Sequence, residues 1–336
     1  MLGPIVRWLP VVVLCAGLLP ASPASAADEA ADAARWLARI RAAASERNYQ
    51  GILVFSTAGV VSSSRIAHYR VGDQAFERIE ALDGKQRKVY RHNEVVHTFW
   101  PQSKLAVIER HGVQTALPSA MQSVDPRILE QYEARAEPAE RVAGREAVVL
   151  LLQPRDALRF AQRLWADQET GLMLRADIID ARRTVLESSA FSEVEIGVSA
   201  QPESVLQPIR QLDGWKVVRP ALTTTRLESE GWVVTRPVPG FRLSGCVRRP
   251  LDALFAGKGR PVGGDIVQAV YSDGLTHVSL FIEPFDAERH RRELRAQFGA
   301  THSQSQRVGD HWVTAMGDVP PGTLQQFVSA LERRRP

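Results

Sequence analysis

From Tyr49 to Ile196 apolar and polar residues alternate with a period close to two, interrupted by short turn signals. This pattern predicts strands that each bury one face. Extended segments are read at 50–57, 64–72, 75–82, 85–91, 94–100 and 104–110. Between them stand Ala58-Gly59, Gly72-Asp73, Asp83-Gly84, Asn93 and Pro101-Gln102-Ser103. Links this short cannot carry a crossover, so neighbours must pair antiparallel. An irregular stretch over 115–134 holds a short helix after Pro126, and strands resume at 145–153, 160–167, 172–179 and 185–196. A sheet this wide curls, because strands twist in one hand.

Ahead of the strands, residues 28–47 follow a helical period. Trp36, Leu37, Ile40 and Ala44 make one apolar stripe, with Asp28 or Asp32 as cap. This helix is expected to cover part of the sheet's apolar face and leave the remainder as a cleft for an apolar ligand. The aromatics expected to line that groove are Phe55, Tyr69, Phe76, Tyr90, Phe99 and Trp165.

Residues 199–225 lack periodicity and read as a linker after a first domain at 27–198. A smaller α+β unit follows over 226–336, with strands near 231–236, 241–247, 266–272, 276–283 and 311–317. Helices are predicted at 286–297 and from Pro321 to about Arg333, the latter burying Leu324, Phe327, Val328 and Leu331. The fold class is therefore α+β: a curled antiparallel half-barrel with a helical lid, plus a small second domain.

The N-terminal 26 residues form an export signal. Arg7 supplies the positive region, Leu9–Leu19 the short apolar core, and Ala24-Ser25-Ala26 the small-x-small site before Ala27. A lipid anchor at Cys15 is not expected, since Leu14 stands where a small residue is needed. Cleavage would leave Cys246 as the single cysteine, either buried or available to another chain.

Of 336 residues, 44% are apolar and 24% charged, which excludes wholesale disorder. Residues 221–336 hold 15 Lys+Arg against 12 Asp+Glu, while the rest of the exported chain is balanced. The basic excess predicts an acidic or phosphorylated partner for the second unit. It is far too small for a nucleic-acid footprint. No nucleophile elbow and no phosphate loop occur. His92 and His97 resemble a zinc motif with one residue too many, and a hairpin context does not make two rings five apart converge. No enzyme, metal or cofactor is predicted.

Several ordered signatures carry a resemblance. They are Asn48-Tyr49-Gln50-Gly51, Tyr69-Arg70, Asp83-Gly84 with Arg87-Lys88-Val89, and Leu164-Trp165-Ala166-Asp167 with Thr170-Gly171-Leu172. Tyr271-Ser272-Asp273-Gly274-Leu275 and Phe281-Ile282-Glu283 complete the set. In this order the chain resembles the MucB/RseB family of periplasmic regulators of the envelope-stress sigma factor. The resemblance implies a lipoprotein-carrier-like first domain and a second domain that helps hold the periplasmic segment of a membrane anti-sigma factor. It implies that this binding hinders proteolysis of the anti-sigma factor and keeps the sigma factor inactive. Lipid, lipopolysaccharide or mislocalised lipoprotein would relieve the block, and the protein would self-associate. The partner contacts read from the second unit's pattern are Arg242, Arg248, Arg249, Tyr271 and Phe281. A lipid or lipoprotein carrier is the alternative reading.

Overall fold

The structure, a computed structural model, describes residues 26–110, 125–251 and 264–334. The export signal and its cleavage site lie outside the described residues but for Ala26. Helix α1 (Ala26–Glu46) leads into strands β1 (Tyr49–Thr57), β2 (Val60–Val71), β3 (Gln74–Ala81), β4 (Lys88–His92), β5 (Val95–Trp100) and β6 (Leu105–Arg110). After a 3-10 turn at Pro126–Glu130 come β7 (Tyr132–Val142), β8 (Arg145–Pro154), β9 (Ala161–Asp167), β10 (Met173–Ile179) and β11 (Val185–Ile196). With β12 (Lys216–Val218) they form one 12-stranded sheet in the order β12-β6-β5-β4-β3-β2-β1-β11-β10-β9-β8-β7. Every pairing is antiparallel save β12 on β6. Among the described residues β7 and β12 stand at the two ends of the strand order with no further partner, so the twisted sheet curls without closing.

The hairpin turns follow their chemistry. Asn93 sits at φ 54 and Gly84 at φ 65, left-handed positions that Asn and Gly tolerate. Asn93 also accepts the Ala75 amide on Oδ1 at 2.9 Å, tying the β4–β5 turn back to β3.

The sheet has an apolar layer on each side, because neighbouring side chains along a strand point to opposite faces. On one side Leu37 and Ile40 of α1 are buried against Leu53, Ile66, Ile79, Leu150 and Leu164. On the other, Tyr69, Phe76, Tyr90 and Phe99 pack beneath a strap of chain that contains α2 (Glu203–Arg210). That strap occupies the segment expected to be a linker. Val205 is fully buried on the sheet, Leu206, Ile209 and Trp215 pack beside it, and β12 extends the sheet edge. A Ser/Gln/Pro-rich composition does not reveal four apolar residues whose burial depends on a surface elsewhere in the chain.

The second unit is a sheet in the order β13-β15-β16-β17-β20-β19-β18. These are β13 (Thr223–Thr224), β15 (Arg242–Pro250), β16 (Asp265–Ser272), β17 (His277–Pro284), β18 (Leu294–Phe298), β19 (Thr301–Val308) and β20 (His311–Gly317). Helix α3 (Pro321–Ala330) buries Leu324, Phe327 and Val328 on it, and β14 (Trp232–Val234) pairs with β21 (Leu331–Arg333). The helix predicted at 286–297 is one turn, closed by the His290 amide on Asp286 O at 2.8 Å, followed by β18. Pairing of Leu294 with Ser305 and Phe298 with Thr301 satisfies the backbone through β19 and overrides the local helical pattern.

Candidate functional site

The two units interlock. Arg159, in the loop between β8 and β9, donates from Nε to Asp273 Oδ2 at 2.7 Å, and both side chains are 0% exposed. Tyr132 donates its hydroxyl to the same oxygen at 3.3 Å. The other carboxylate oxygen accepts the Leu275 and Thr276 amides at 2.9 and 2.8 Å, so the Asp273-Gly274 turn is built around this carboxylate. The remaining arms of Arg159 reach Asp156 and Pro239 O, and its guanidinium lies 4.8 Å from the Phe241 ring centre. Gly240, at φ 77, lies against Arg159, where a Cβ would collide with the guanidinium. Burial and the neighbouring Asp273 charge push the Tyr132 hydroxyl well above its ordinary pKa, so it stays a donor.

Further contacts join the units on either side. Arg249 Nη2 meets Glu109 Oε1 at 2.6 Å, and Thr323 Oγ1 donates to Leu158 O at 2.8 Å. Leu275 and Ala300 of the second unit are buried in the first unit's core. Glu187 is buried where the ends of β1 and β11 meet Ala300, and burial with the Asp318 charge raises its pKa to about 7.

A polar cleft of about 370 Å³ opens beside the lock, walled by Asp125, Arg127 and Glu130 on one unit and Arg242, Ser244 and Ser272 on the other. Hydrogen bonding from Arg127 lowers the Asp125 carboxyl to about 2, so it is charged at any physiological pH. Arg242 has a side chain 68% exposed and stands 3.7 Å from Glu130. Charged groups of both signs from both units thus face one groove, an arrangement suited to a polar peptide.

The five residues expected to contact a partner do not form one patch. Arg242 lines the cleft, and Arg249 is spent on Glu109 inside the junction. Arg248 pairs with Glu230 within the second unit. Tyr271 is core, 5.1 Å from the Phe327 ring, and Phe281 is half-buried on β17 between Gln268 and Thr314.

The six groove aromatics also divide. Phe55 alternates in phase with Leu53 and so faces the lid side, half-buried. Tyr69, Phe76, Tyr90 and Phe99 lie on the opposite face, and Trp165 is buried with Val149 and Leu174 away from the α1 core. They do not line one groove under the lid: alternation shows which residues share a side but not which side the helix takes. Tyr90 and Phe99 do border a different cleft, of about 460 Å³, together with Trp215 and Pro208 of the strap. His92 and His97 share that outer face: His92 stacks on Phe76 at 4.7 Å and bonds Gln74 at 3.0 Å, and burial lowers His97 to about 4. Among the described residues no group of three or more His, Cys, Asp or Glu converges on a metal-sized space. Arg159 and Trp215 are the residues missed. The pattern of Asp273-Gly274 as a turn hid its second role, because the arginine it holds is 114 residues away.

Residues 32–209 match the MucB/RseB N-terminal domain and residues 226–332 the MucB/RseB C-terminal domain. The chain is 32% identical to the Pseudomonas aeruginosa sigma factor AlgU regulatory protein MucB, over 95% of this chain and 96% of that protein. It is 24% identical to the Haemophilus influenzae sigma-E factor regulatory protein RseB, over 97% and 98% respectively. Among solved structures it superposes on a chain of the Pseudomonas aeruginosa MucA/MucB complex with a TM-score of 0.67 and 27% identity, covering 91% of this chain and all of that one. With both domains matched in order and the length of a regulator covered end to end, this chain belongs to the MucB/RseB family.

Proposed function

We propose that this protein is a periplasmic regulator that binds the periplasmic segment of a membrane-anchored anti-sigma factor, hinders its proteolysis and so keeps an envelope-stress sigma factor sequestered. Lipid-like signals relieve the block. The observation that carries this reading is family membership across both units, with a relative that was solved bound to MucA. The junction supports it, since charged groups of both signs from both units line one groove, a surface complementary to a polar peptide. Arg242 is the residue we place against the partner, being the exposed cation of that groove. Nothing in the reading calls for catalysis.

The experiment is a protease-protection assay on the anti-sigma periplasmic segment, with and without the full exported chain. Saturable binding together with slower cleavage is expected. Cleavage at an unchanged rate while the segment is bound would remove the protective role, and absence of binding would remove the reading.

A further inference from the structure

We propose that the edge strand β18 of the second sheet is a docking site at which an extended acidic segment of another protein pairs as an added strand.

Among the described residues the two large sheets end on four strands, and β18 is unlike the other three. β12 spans three residues and β13 two, too short to template a partner. β7 is interrupted by Pro138 and by a register shift between Glu137 and Glu140. β18 (Leu294–Phe298) has neither device, and all five of its residues are exposed. The two-residue turn Gly299-Ala300 makes Phe298 and Thr301 exchange both main-chain bonds, a pattern that recurs at Ala296 and Leu294. The main-chain groups of Arg295 and Gln297 therefore point away from β19, along the open edge. The turn itself is fixed: Gly299, at φ 61, sits where a Cβ would collide with Thr57 of the first unit.

The two faces of this edge differ. Leu294 and Phe298, 48% and 53% exposed, share one face, and Met316, 42% exposed, continues it from β20, because Ala296 pairs with Ser303 and Ser303 with Met316. Arg295 takes the other face, where its Nη2 donates to Gln325 Oε1 of α3 at 2.8 Å. An added strand that alternates apolar and acidic residues would match both faces at once, each acid lying opposite the Arg295 side.

Charge selects the occupant. Residues 291–298 hold Arg291, Arg292 and Arg295 against Glu293 alone. Arg291 donates to the main-chain oxygen of Glu288 at 3.0 Å and Arg295 to a neutral amide, and among the described residues none of the three arginines is paired with a carboxylate. Here the basic excess of the second unit has a place, at an edge whose backbone is open to pairing. A second copy of the chain would bring three more arginines to the same edge, whereas an acidic strand neutralises those present. The junction groove is built on β15 and β16, four strand spacings from β18 in the sheet order, roughly 19 Å. This surface is therefore separate from that groove and does not rest on the regulatory reading.

The test uses the full exported chain and a labelled, end-capped peptide of sequence EVEVEVE, which as a strand shows Glu on one face and Val on the other. Anisotropy follows binding and amide hydrogen exchange locates it. Saturable binding is expected, with slower exchange at the Arg295 and Gln297 amides and little change at Leu294, Ala296 and Phe298, which β19 already holds. Arg295→Glu should weaken EVEVEVE about tenfold and strengthen KVKVKVK by a similar factor, with unchanged thermal unfolding. Gln297→Pro, which removes an outward donor and leaves the β19 bonds in place, should weaken EVEVEVE as well. The proposal is overturned if EVEVEVE does not saturate, if the Arg295 and Gln297 amides exchange as before, or if Arg295→Glu leaves the preference for EVEVEVE intact. Protection of those amides in the protein alone, rising with its concentration, would give the edge to a second copy and equally overturn it. Displacement of EVEVEVE by the anti-sigma segment would remove the separate site, while failure of that segment to bind at all would count against the regulatory reading and leave this one standing.

Discussion

Arg159 and Asp273, 114 positions apart in the chain, form a fully buried ion pair that joins the two units. Each would be costly alone in an apolar interior, and each is satisfied by partners from both sides of the junction: Asp156, Tyr132, Pro239 O and the amides of the 273–276 turn. The domain relationship is thus specified by geometry as much as by apolar contact.

Arg159→Met should cost on the order of 3–5 kcal/mol, since it leaves the Asp273 carboxylate buried without its cation. Calorimetry or urea unfolding should show a lower midpoint for both units together, because Leu275 and Ala300 tie the second unit into the first core. Asp273→Asn, which keeps an acceptor for the turn amides, should cost less. An unfolding profile in which only the second unit shifts would contradict the interlock.

Glu187 makes junction stability depend on pH. Its pKa is raised from 4.5 to about 7 by burial, so the folded state holds a proton that the unfolded chain releases near 4.5. Stability therefore falls as pH rises from about 4.5 to about 7 and levels off above, a loss on the order of 2–3 kcal/mol. Glu187→Gln should flatten this slope and be more stable than the wild type at pH 8. Denaturation midpoints measured across pH 4.5–8 would show it, and an unchanged slope would rule it out.

Arg242 and Arg249 separate binding from folding. Arg242→Ala should weaken binding of the anti-sigma segment about tenfold with stability within about 0.5 kcal/mol of the wild type. Arg249→Ala should instead destabilise by a few kcal/mol, as Glu109 loses its buried partner. Calorimetric titration alongside urea unfolding distinguishes the two.

Cys246 is buried on β15 and its thiol is pushed up to about 11 by that burial, with Glu230 and Glu228 adding to the shift. The folded protein should react with a thiol reagent orders of magnitude more slowly than the protein in urea. Non-reducing gels of the folded protein should show no disulfide-linked dimer.

Much of this architecture can be read along the chain. Period-two alternation and turns such as Asp83-Gly84 and Asn93 are local physics, and they place most strands of the first sheet within a residue or two. β7 escaped because its residues, Glu-, Arg- and Ala-rich with Pro138 inside, carry almost no apolar alternation. Its place at the sheet's edge, with a register shift between Glu137 and Glu140, tolerates both. β18 read as helix for the complementary reason: its strand state comes from β19, not from its own residues.

By itself, then, the sequence determined the antiparallel meander, the amphipathic first helix, the second α+β unit and, through its ordered signatures, the family. Tertiary structure alone decided which side of the sheet the helix covers, that the Ser/Gln-rich segment straps the other side, and that Arg159 closes on Asp273. The reason is range. Turn chemistry and side-chain alternation act over two to four residues, whereas a sheet has two faces that are equivalent until something from far along the chain is packed on one of them.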